Sequence, residues 1–580
     1  MRTMRMLSPN ELSTGTVRSE SDLSSSSSGP TTIRNKGEME IDFFGLFLVL
    51  LPPMLGGFLY GFDLGATSFV LVMLLNPPDV DDFGAAVWWT DLSSTRQGLV
   101  VSSLSLGALV GSHIVLMYLS QRIGRRMELR LCAIFYIAGS FLNVMSGTVL
   151  KEAAIFGYLS LCVGRVLYGI GVGFVMHGAP AYLAEMSPTK IRGAIVSAKE
   201  TVIVGGIVVG YMIGNCMSTD PLGWTHLYGI CGIIALPMLA LTYCIPRSKR
   251  WLLMQGLDQE AYESMKFIYN GDIREEYESL AKSVLAGGLS PSQTKTRKDP
   301  SLVDPRYRKA VKASMGLIIF QQFSGQPSVL SYATVLFQAA GWTGIASVAS
   351  SVLMMITSAI TVLLVERVGR KFLLSLGCLV MMTALSALST SFWGWDDHID
   401  TETGDLRSSQ NYVILFAMFF YIAGYQIGFG PITWCIVSET FPLEIRGKAI
   451  ALGVELNYAL NFGVQFIFPT LKENLGWGRT FGLFAVILAF AFFYIRSYVP
   501  ETTGLTLEEI EVELGGEHND SDYPKNNAKK HQFIEFECPT ENSSLLGRAS
   551  SFLGAHPSLE EMESQLIRTS SDAALRNAIV

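Results

Sequence analysis

Long apolar runs recur along most of the chain and restrict its fold more than any other feature of the sequence. Between residues 43 and 495, runs of roughly 20 or more residues with few charges alternate with short polar loops. Such a run matches the length of an α-helix that crosses about 30 Å of hydrocarbon, whereas barrel strands are about 10 residues long and alternate in polarity. Charged residues make up only 16% of the chain, against about 25% in soluble globular proteins. The sequence therefore predicts an all-α, multi-pass integral membrane protein whose surroundings are the lipid bilayer.

The apolar runs form two groups of six, separated by a polar stretch. The predicted spans are Phe43–Leu75, Gln97–Leu119, Leu131–Leu150, Ala153–Leu183, Ala194–Cys216, Leu227–Ile245, Ala313–Ala340, Gly344–Val365, Phe372–Trp393, Tyr412–Val437, Ala449–Leu471 and Thr480–Ile495. The predicted domains are a disordered tail (1–40), a first six-helix half (41–245), a linker with short helices (246–312), a second six-helix half (313–498) and a polar tail (499–580).

Basic residues fall in alternate short loops and predict the orientation of the spans. One set of loops contains Arg122, Arg125, Arg126, Lys190, Arg192, Arg367, Arg370, Lys371, Arg446 and Lys448. The opposite loops hold acids and tryptophans, such as Asp81, Trp88 and Asp396. Because loops rich in Lys and Arg stay in the cytoplasm, both termini and the linker are predicted to be cytoplasmic.

Two loop motifs occur once in each half. The pattern Glu-x-x-Pro-x-x-Ile-Arg-Gly begins at Glu185 and again at Glu439, an offset of 439 − 185 = 254 residues that Pro246 and Pro500 share. An Arg-x-Gly-Arg-[Arg/Lys] loop begins at Arg122 and recurs in the second half. Duplicated six-helix halves are typical of secondary transporters, whose site lies between the halves near the bilayer midplane. The Gly-Arg loops are not flanked by the elements that a phosphate-binding loop requires, so no nucleotide site is predicted.

One acid and one base lie deep in neighbouring apolar runs of the first half. Arg165 stands in a glycine-rich run, and Asp63 is the only charge within the first run. A charge at that depth costs at least a few kcal/mol unless it faces a partner or a water-filled cavity. The two residues are therefore expected to pair, either as part of a transport pathway or as a structural ion pair that fixes helix register.

These motifs resemble the sugar porter family of the major facilitator superfamily over roughly residues 43–512. The resemblance rests on the paired loops and on the stretch Pro-Glu-Thr-Thr-Gly that begins at Pro500. Lys199-Glu200 and the Gln-Gln-Phe-Ser-Gly stretch that begins at Gln321 are similar to the plant vacuolar and plastid glucose-transporter branch, often labelled D-xylose–proton-symporter-like. The resemblance implies the major facilitator fold, with twelve transmembrane helices in two halves.

The resemblance also implies roles for single residues. Asp63 and Arg165 match the proton-coupling pair of the first and fourth helices. Sugar contacts are implied for the seventh-helix Gln321 and Gln322, the tenth-helix Trp434 and the eleventh-helix Asn457, with Asn461 one turn further on. The clusters that latch the outward-open state on the cytoplasmic side match Glu185, Arg125 and Arg192 in the first half and Glu439, Arg370 and Arg446 in the second.

Three positions depart from the family pattern. Glu200 stands where a sugar-binding glutamine is usual, which makes it a second candidate for carrying the proton. Pro327 replaces the asparagine after the paired glutamines, with Gln326 beside it as a candidate ligand. The motif Pro-Glu-Ser-Pro-Arg-Trp after the sixth helix reads Pro-Arg-Ser-Lys-Arg-Trp from Pro246 to Trp251, which concerns the latch.

The candidate site has the chemistry that a sugar requires. Hydroxyl groups need amides that both donate and accept hydrogen bonds, and the C–H face of the ring needs a flat apolar surface. The five amides and Trp434 supply both, although a single amide in a membrane helix can also serve as contact between helices. His113 and His177 are expected to be helix-packing residues.

We therefore expect a secondary transporter that moves a monosaccharide, such as glucose or xylose, together with protons, and that functions as a monomer. The alternatives are a facilitative sugar or polyol uniporter and a sugar sensor that retains the fold. No metal, cofactor, nucleic-acid or enzymatic site is predicted. The membrane stays open between vacuolar or endosomal, plastid and plasma membrane. An acidic dileucine motif at residues 541–546 favours an internal membrane.

Overall fold

The fold is described from a computed structural model. It describes residues 40–75, 92–119, 122–150, 153–188, 191–220, 222–286, 302, 304–396, 404–505, 509, 510 and 514. Residues 1–39 of the predicted N-terminal tail (1–40), most of the C-terminal tail and the dileucine motif lie outside these residues.

Six long helices form the first half of the molecule. They are α1 (Phe43–Leu75), α2 (Ser94–Ile114, extended by a π-helical turn Val115–Leu119), α3 (Arg125–Thr148), α4 (Ala154–Met186), α5 (Arg192–Met217) and α6 (Gly223–Cys244). Each agrees with a predicted apolar run to within a few residues at most ends, because a continuous apolar stretch of this length is stable in lipid only as a helix.

Three short helices follow in the polar stretch. They are α7 (Lys249–Met254), α8 (Asp258–Lys266) and α9 (Arg274–Ala286). A two-residue strand, β1 (Glu40–Ile41), pairs antiparallel with β2 (Tyr269–Asn270), so the chain entering α1 is attached to this stretch. We call this end of the bundle the linker side, and the opposite end the far side.

The second half contains eight helical segments. They are α10 (Arg308–Phe323), α11 (Gln326–Ser331), α12 (Ala333–Ala339), α13 (Gly344–Val368), α14 (Arg370–Asp396), α15 (Gly404–Ile427), α16 (Phe429–Glu439) and α17 (Leu443–Tyr498). Ten stretches of the described residues are long and apolar enough to cross a membrane.

The seventh predicted span is not one helix, which corrects the continuous run Ala313–Ala340. It is divided into α10, α11 and α12, with breaks at Ser324–Gly325 and Tyr332. Gly325 has φ of +87°, a left-handed conformation that glycine adopts without a steric penalty. An apolar run indicates that a segment lies in lipid, but it carries no information about backbone angles. The breaks could therefore not be predicted from the run.

The predicted loop between the eleventh and twelfth spans is helical except at one glycine. Helix α17 continues through Leu443–Tyr498, and the only non-helical residue inside it is Gly476 (φ 75°, ψ 170°). A straight helix of 56 residues would be about 84 Å long at 1.5 Å per residue, far more than one bilayer. The chain therefore turns at Gly476 and crosses twice. With the divided seventh span, this brings the ten stretches to twelve crossings.

Glycines bring α1 and α5 into backbone contact. A Cβ at Gly61 would overlap the carbonyl oxygen of Ile203, and one at Gly206 would overlap that of Phe58. Close approach of this kind is how membrane helices associate without a hydrophobic driving force. It fixes the height of Asp63 on α1 relative to Lys199 and Glu200 on α5.

Candidate functional site

The two deep charges of the first half form an ion pair. Arg165 on α4 donates from Nη1 to Asp63 Oδ1 at 3.2 Å and from Nη2 to Oδ2 at 3.3 Å. Both side chains are about 1% exposed. The same guanidinium donates to the hydroxyl of Tyr228 on α6 at 2.7 Å, and Thr67 donates to Asp63 at 3.5 Å. The predicted pairing is present, and it joins α1, α4 and α6.

Aromatic residues separate this pair from the linker side. Tyr136 on α3 donates to the carbonyl of Gly56 at 3.2 Å, and Tyr168 on α4 donates to that of Leu59 at 3.0 Å. The two rings stack with centroids 4.3 Å apart. These contacts fix the part of α1 between Gly56 and Asp63 against α3 and α4.

A chain of amides connects the two halves. Gln322 on α10 donates to Asn457 Oδ1 at 2.5 Å, and Asn461 donates to Gln322 Oε1 at 3.1 Å. Ser105 on α2 then donates to Asn461 Oδ1 at 2.6 Å. Three of the predicted site residues therefore meet, and Ser105 attaches them to the first half.

Gln465 extends the same chain and was not predicted. Its side-chain oxygen accepts from Ser105 at 3.2 Å, and its amide donates to Ser331 Oγ at 3.2 Å and to the carbonyl of Pro327 at 3.3 Å. Asn457, Asn461 and Gln465 are spaced four residues apart and share one face of α17. Following this period by one more turn would have identified it.

Gln321 has a different environment from Gln322. Its amide donates to the Tyr425 hydroxyl at 3.1 Å and to the Phe429 carbonyl at 3.0 Å. Phe429 begins α16, directly after the break at Gly428. Pro431 has no N–H to offer Ile427, the last residue of α15, so the helix breaks here. Gln321 contacts this break within the second half.

The other predicted sugar ligands are less constrained. Gln326 and Trp434 are half-buried, and neither makes a side-chain hydrogen bond with a residue that the structure describes. Glu200 is 59% exposed and pairs with Lys199 at 2.9 Å. The carboxylate of Glu200 also interacts electrostatically with the hydroxyls of Tyr60 on α1 and Tyr458 on α17. These two tyrosines are neighbours, and each belongs to a different half. Glu200 therefore faces the space between the halves, whereas Asp63 is enclosed.

His113 is a contact between helices, as expected, and the helix that it contacts belongs to the other half. Its Nδ1 lies 2.9 Å from Glu455 Oε1 on α17, and the imidazole is 51% exposed. The partner stands 342 residues away in sequence, so no local pattern could reveal it. His177 pairs with Glu128 at 2.9 Å within the first half.

The predicted latch residues form one cluster in each half. Arg125 Nη1 contacts Glu128 at 2.9 Å and its Nε contacts Glu185 at 3.6 Å, while Ser248 donates to Glu185. Arg192 lies near Lys249. Burial lowers the pKa of Lys249 to about 8, and the charge of Arg192 makes a smaller contribution in the same direction.

The second cluster repeats the first. Arg370 contacts Glu366 at 2.8 Å and Glu439 at 3.2 Å, and Arg446 donates to the carbonyl of Phe441 at 3.1 Å. The ion pairs just described thus join residues of the same half.

Three of the hydrogen bonds between the halves lie toward the far side, whereas His113–Glu455 lies nearer the linker side. Ser68 and Thr334 are 2.9 Å apart, Tyr211 donates to the carbonyl of Leu330 at 2.9 Å, and Ser94 donates to Glu473. These groups belong to the far-side portions of α1, α5 and α2. The far side is therefore the closed end of the bundle.

Two repeated six-helix halves, with an enclosed ion pair and a polar chain between them, define a secondary transporter of the major facilitator type. The sequence profile of the family described as "Sugar (and other) transporter" matches residues 49–514. The chain belongs to this family, whose members are transporters and not enzymes.

Several proteins of this family are similar to the chain. The D-xylose-proton symporter-like 1 protein of Arabidopsis thaliana is 36% identical over 80% of this chain and 89% of its own length. The glucose transporter GlcP of Staphylococcus epidermidis is 30% identical over 81% of this chain and 97% of its own length. Among solved structures, the inward-open xylose transporter XylE from E. coli superposes with a TM-score of 0.65 and 25% identity, covering 81% of this chain and 99% of XylE.

Proposed function

We propose that this protein moves a monosaccharide across a membrane by alternating access and couples the movement to protons. The enclosed Asp63–Arg165 pair is the observation that carries the proposal, because a buried carboxylate paired with a permanent cation can change its charge only by taking up a proton. The xylose and glucose in the names of the relatives favour a hexose or pentose as the cargo.

Protonation of Asp63 would alter contacts on both faces of α1. A neutral carboxyl no longer attracts Arg165 as an ion, and the guanidinium keeps Tyr228 as a partner. The same helix carries Tyr60, which neighbours Tyr458, and Ser68, which contacts Thr334. A change in the fit of α1 against α4 is thus transmitted to the contacts between the halves. Proton and sugar can then stabilise different states of one equilibrium.

The amide chain supplies the sugar-binding chemistry. Gln322, Asn457 and Asn461 each present a donor and an acceptor, and Gln322 forms hydrogen bonds with both asparagines. Sugar hydroxyls can replace these mutual bonds without leaving polar groups unpaired. Trp434 offers an aromatic face, and Gln321, Gln326 and Glu200 are further ligands.

We infer that the described state is open toward the cytoplasm. The contacts Ser68–Thr334, Tyr211–Leu330 and Ser94–Glu473 join the halves at the far side, and the basic loops favour a cytoplasmic linker side under the positive-inside rule. The similarity to an inward-open structure supports the same reading. The clusters around Arg125 and Arg370 would latch the opposite state by meeting across the halves. We propose that the monomer is the functional unit.

The test measures uptake of radiolabelled glucose and xylose into proteoliposomes, with and without a pH gradient. Asp63→Asn fixes a neutral side chain of the same size. The variant should lose accumulation against a sugar gradient and should retain sugar-for-sugar exchange, because exchange requires no proton release. Glu200→Gln is the matched control and should still accumulate sugar.

Two outcomes would contradict this assignment. Accumulation by Asp63→Asn but not by Glu200→Gln would assign the coupling to α5. A wild-type protein that equilibrates sugar but never accumulates it under a pH gradient would be a facilitative carrier, and the ion pair would be structural.

A further inference from the structure

The N-terminus of α14 in the second half is capped by a carboxylate. Glu501 accepts from the backbone N–H of Arg370 at 3.0 Å and from that of Lys371 at 3.1 Å. The N–H groups of a first helical turn have no partners within the helix, and the helix dipole favours an anion there. Glu501 therefore occupies a built-in anion site.

The first half has the same loop but an arginine in place of that carboxylate. The motif offset of 254 equates Glu501 with Arg247 (501 − 254 = 247). In the loop motif, Lys371 corresponds to Arg126. The backbone N–H of Arg126 has no acceptor among the residues that the structure describes. The start of α3 thus keeps the N–H of Arg126 as a donor and lacks the carboxylate that the second half places there.

A basic cavity of about 230 Å³ lies at this point. Its walls include Gly124, Trp251 and four arginines, which are Arg122, Arg126, Arg130 and Arg247. Arg126 and Arg130 donate to main-chain carbonyls of Ile245 and Thr242 and not to carboxylates. The charges of Arg130 and Arg247 are close enough to that of Arg126 to repel it.

Little negative charge offsets these arginines. Arg247 contacts Glu260 at 3.3 Å, a pair in which both side chains are about half exposed. Arg122 forms no ion pair in the described part of the chain. The buried indole N–H of Trp251 also lacks an acceptor there. The cavity is therefore lined by hydrogen-bond donors, the four arginines and the indole of Trp251, and its lining residues supply no carboxylate.

We propose that this cavity binds a phosphate-bearing ligand, either the headgroup of an anionic phospholipid or a free phosphate. Guanidinium groups bind phosphate through two parallel hydrogen bonds, and a helix N-terminus adds backbone donors. The cavity volume of about 230 Å³ is many times the roughly 10–15 Å³ that one water needs, so one phosphate group fits with part of its hydration.

The surroundings place the cavity at the membrane boundary. Arg130 lies 3.9 Å over the ring of Tyr243, and that tyrosine, at the end of α6, is 63% exposed. Tyrosine is typical of the headgroup region. A bound phosphate would connect α3 to α7 as Glu501 connects α14 to the end of the second half. This inference does not depend on the sugar or on proton coupling.

The test follows the thermal unfolding of the purified full-length protein in detergent. One arm adds inorganic phosphate against chloride at equal ionic strength, and the other adds phosphatidic acid against phosphatidylcholine in mixed micelles. The wild type should show a saturable rise in its unfolding midpoint. Arg122→Gln, which removes a side chain without described hydrogen bonds, should weaken the apparent affinity by about tenfold or more, the effect of losing about 1.4 kcal/mol. The control Arg274→Gln, on α9, should respond as the wild type does.

Arg247→Glu restores the carboxylate of the second half and gives a second criterion. It should lose the response to phosphate, because its carboxylate takes the place of the ligand beside the N–H of Arg126. A response to inorganic phosphate identifies a free phosphate as sufficient, and a response to phosphatidic acid alone identifies the lipid headgroup. The proposal is overturned if neither ligand stabilises the wild type, or if Arg122→Gln and Arg247→Glu respond as the wild type does.

Discussion

At the scale of single residues, the connection between the halves depends on a few amides with mutual hydrogen bonds. The side-chain N–H of Gln322 donates to Asn457, and its side-chain oxygen accepts from Asn461. Because a net hydrogen bond is worth about 0.5–1.5 kcal/mol and Gln322 can offer a sugar one donor and one acceptor, Gln322→Ala should weaken sugar binding by roughly tenfold. Equilibrium binding of labelled sugar to the purified protein measures this change.

A matched amide elsewhere serves as the control. Asn474 donates only within its own turn of α17, to the carbonyl of Thr470 at 2.9 Å. Asn474→Ala should leave sugar affinity unchanged. Equal affinity of Gln322→Ala and the wild type, with both proteins folded, would remove Gln322 from the site.

Site residues could be predicted from the sequence where a charged residue stands alone in an apolar run. Asp63 and Arg165 were paired because they are isolated charges in apolar runs, and the structure brings their atoms within 3.3 Å. Gln465 was missed although the period of Asn457 and Asn461 leads to it. Glu455 was missed for a different reason, since its partner His113 lies on another helix of the other half.

At the scale of helices, apolar length predicted where the chain crosses the membrane but not where the backbone breaks. The breaks depend on single residues such as Gly325, Gly428 and Gly476, whose φ and ψ angles are set by packing. A hydropathy pattern contains no information on those angles. The same limit explains why α17 includes a stretch that polarity predicted to be a loop.

The break after α10 leads to a prediction for Gly325. With φ of +87°, a left-handed residue other than glycine costs roughly 1–2 kcal/mol, and a Cβ there would lie 2.6 Å from the ring of Phe484. Gly325→Ala should therefore lower the thermal unfolding midpoint in detergent. Gly463→Ala is the control, because a Cβ at this helical position meets nothing within 4 Å and alanine favours a helix by up to about 1 kcal/mol.

The comparison of the two variants decides the reason for the break. A lower midpoint for Gly325→Ala alone assigns the cost to the left-handed turn and the contact with Phe484. An unchanged midpoint for Gly325→Ala would show that the seventh helix can straighten without loss of stability, contrary to this prediction.

At the scale of the whole molecule, the repeat predicted two halves of equal helix number but not their relative position. Motif spacing along the sequence is the same in every state of a transport cycle, because the covalent chain does not change. The closed end is visible only in contacts such as Ser68–Thr334 and Tyr211–Leu330, which join residues far apart in sequence. The repeat was still informative. It shows that Arg247, near the N-terminus of α3, stands where Glu501 caps the N-terminus of α14 in the second half.

Cross-linking the far side tests whether the halves must separate there during transport. The hydroxyl oxygens of Ser68 on α1 and Thr334 on α12 are 2.9 Å apart, so cysteines at both positions should lie within reach of a disulfide, which needs Cβ atoms about 3.5–4.5 Å apart. We expect Ser68→Cys/Thr334→Cys to lose both sugar uptake and sugar exchange in proteoliposomes after mild oxidation, and to regain them with a reductant. Each single-cysteine variant should transport under both conditions, which excludes an effect of the native cysteines. Full transport by the oxidised double variant, with the disulfide demonstrated by mass spectrometry, would show that the far side need not open between α1 and α12 and would contradict alternating access through this end.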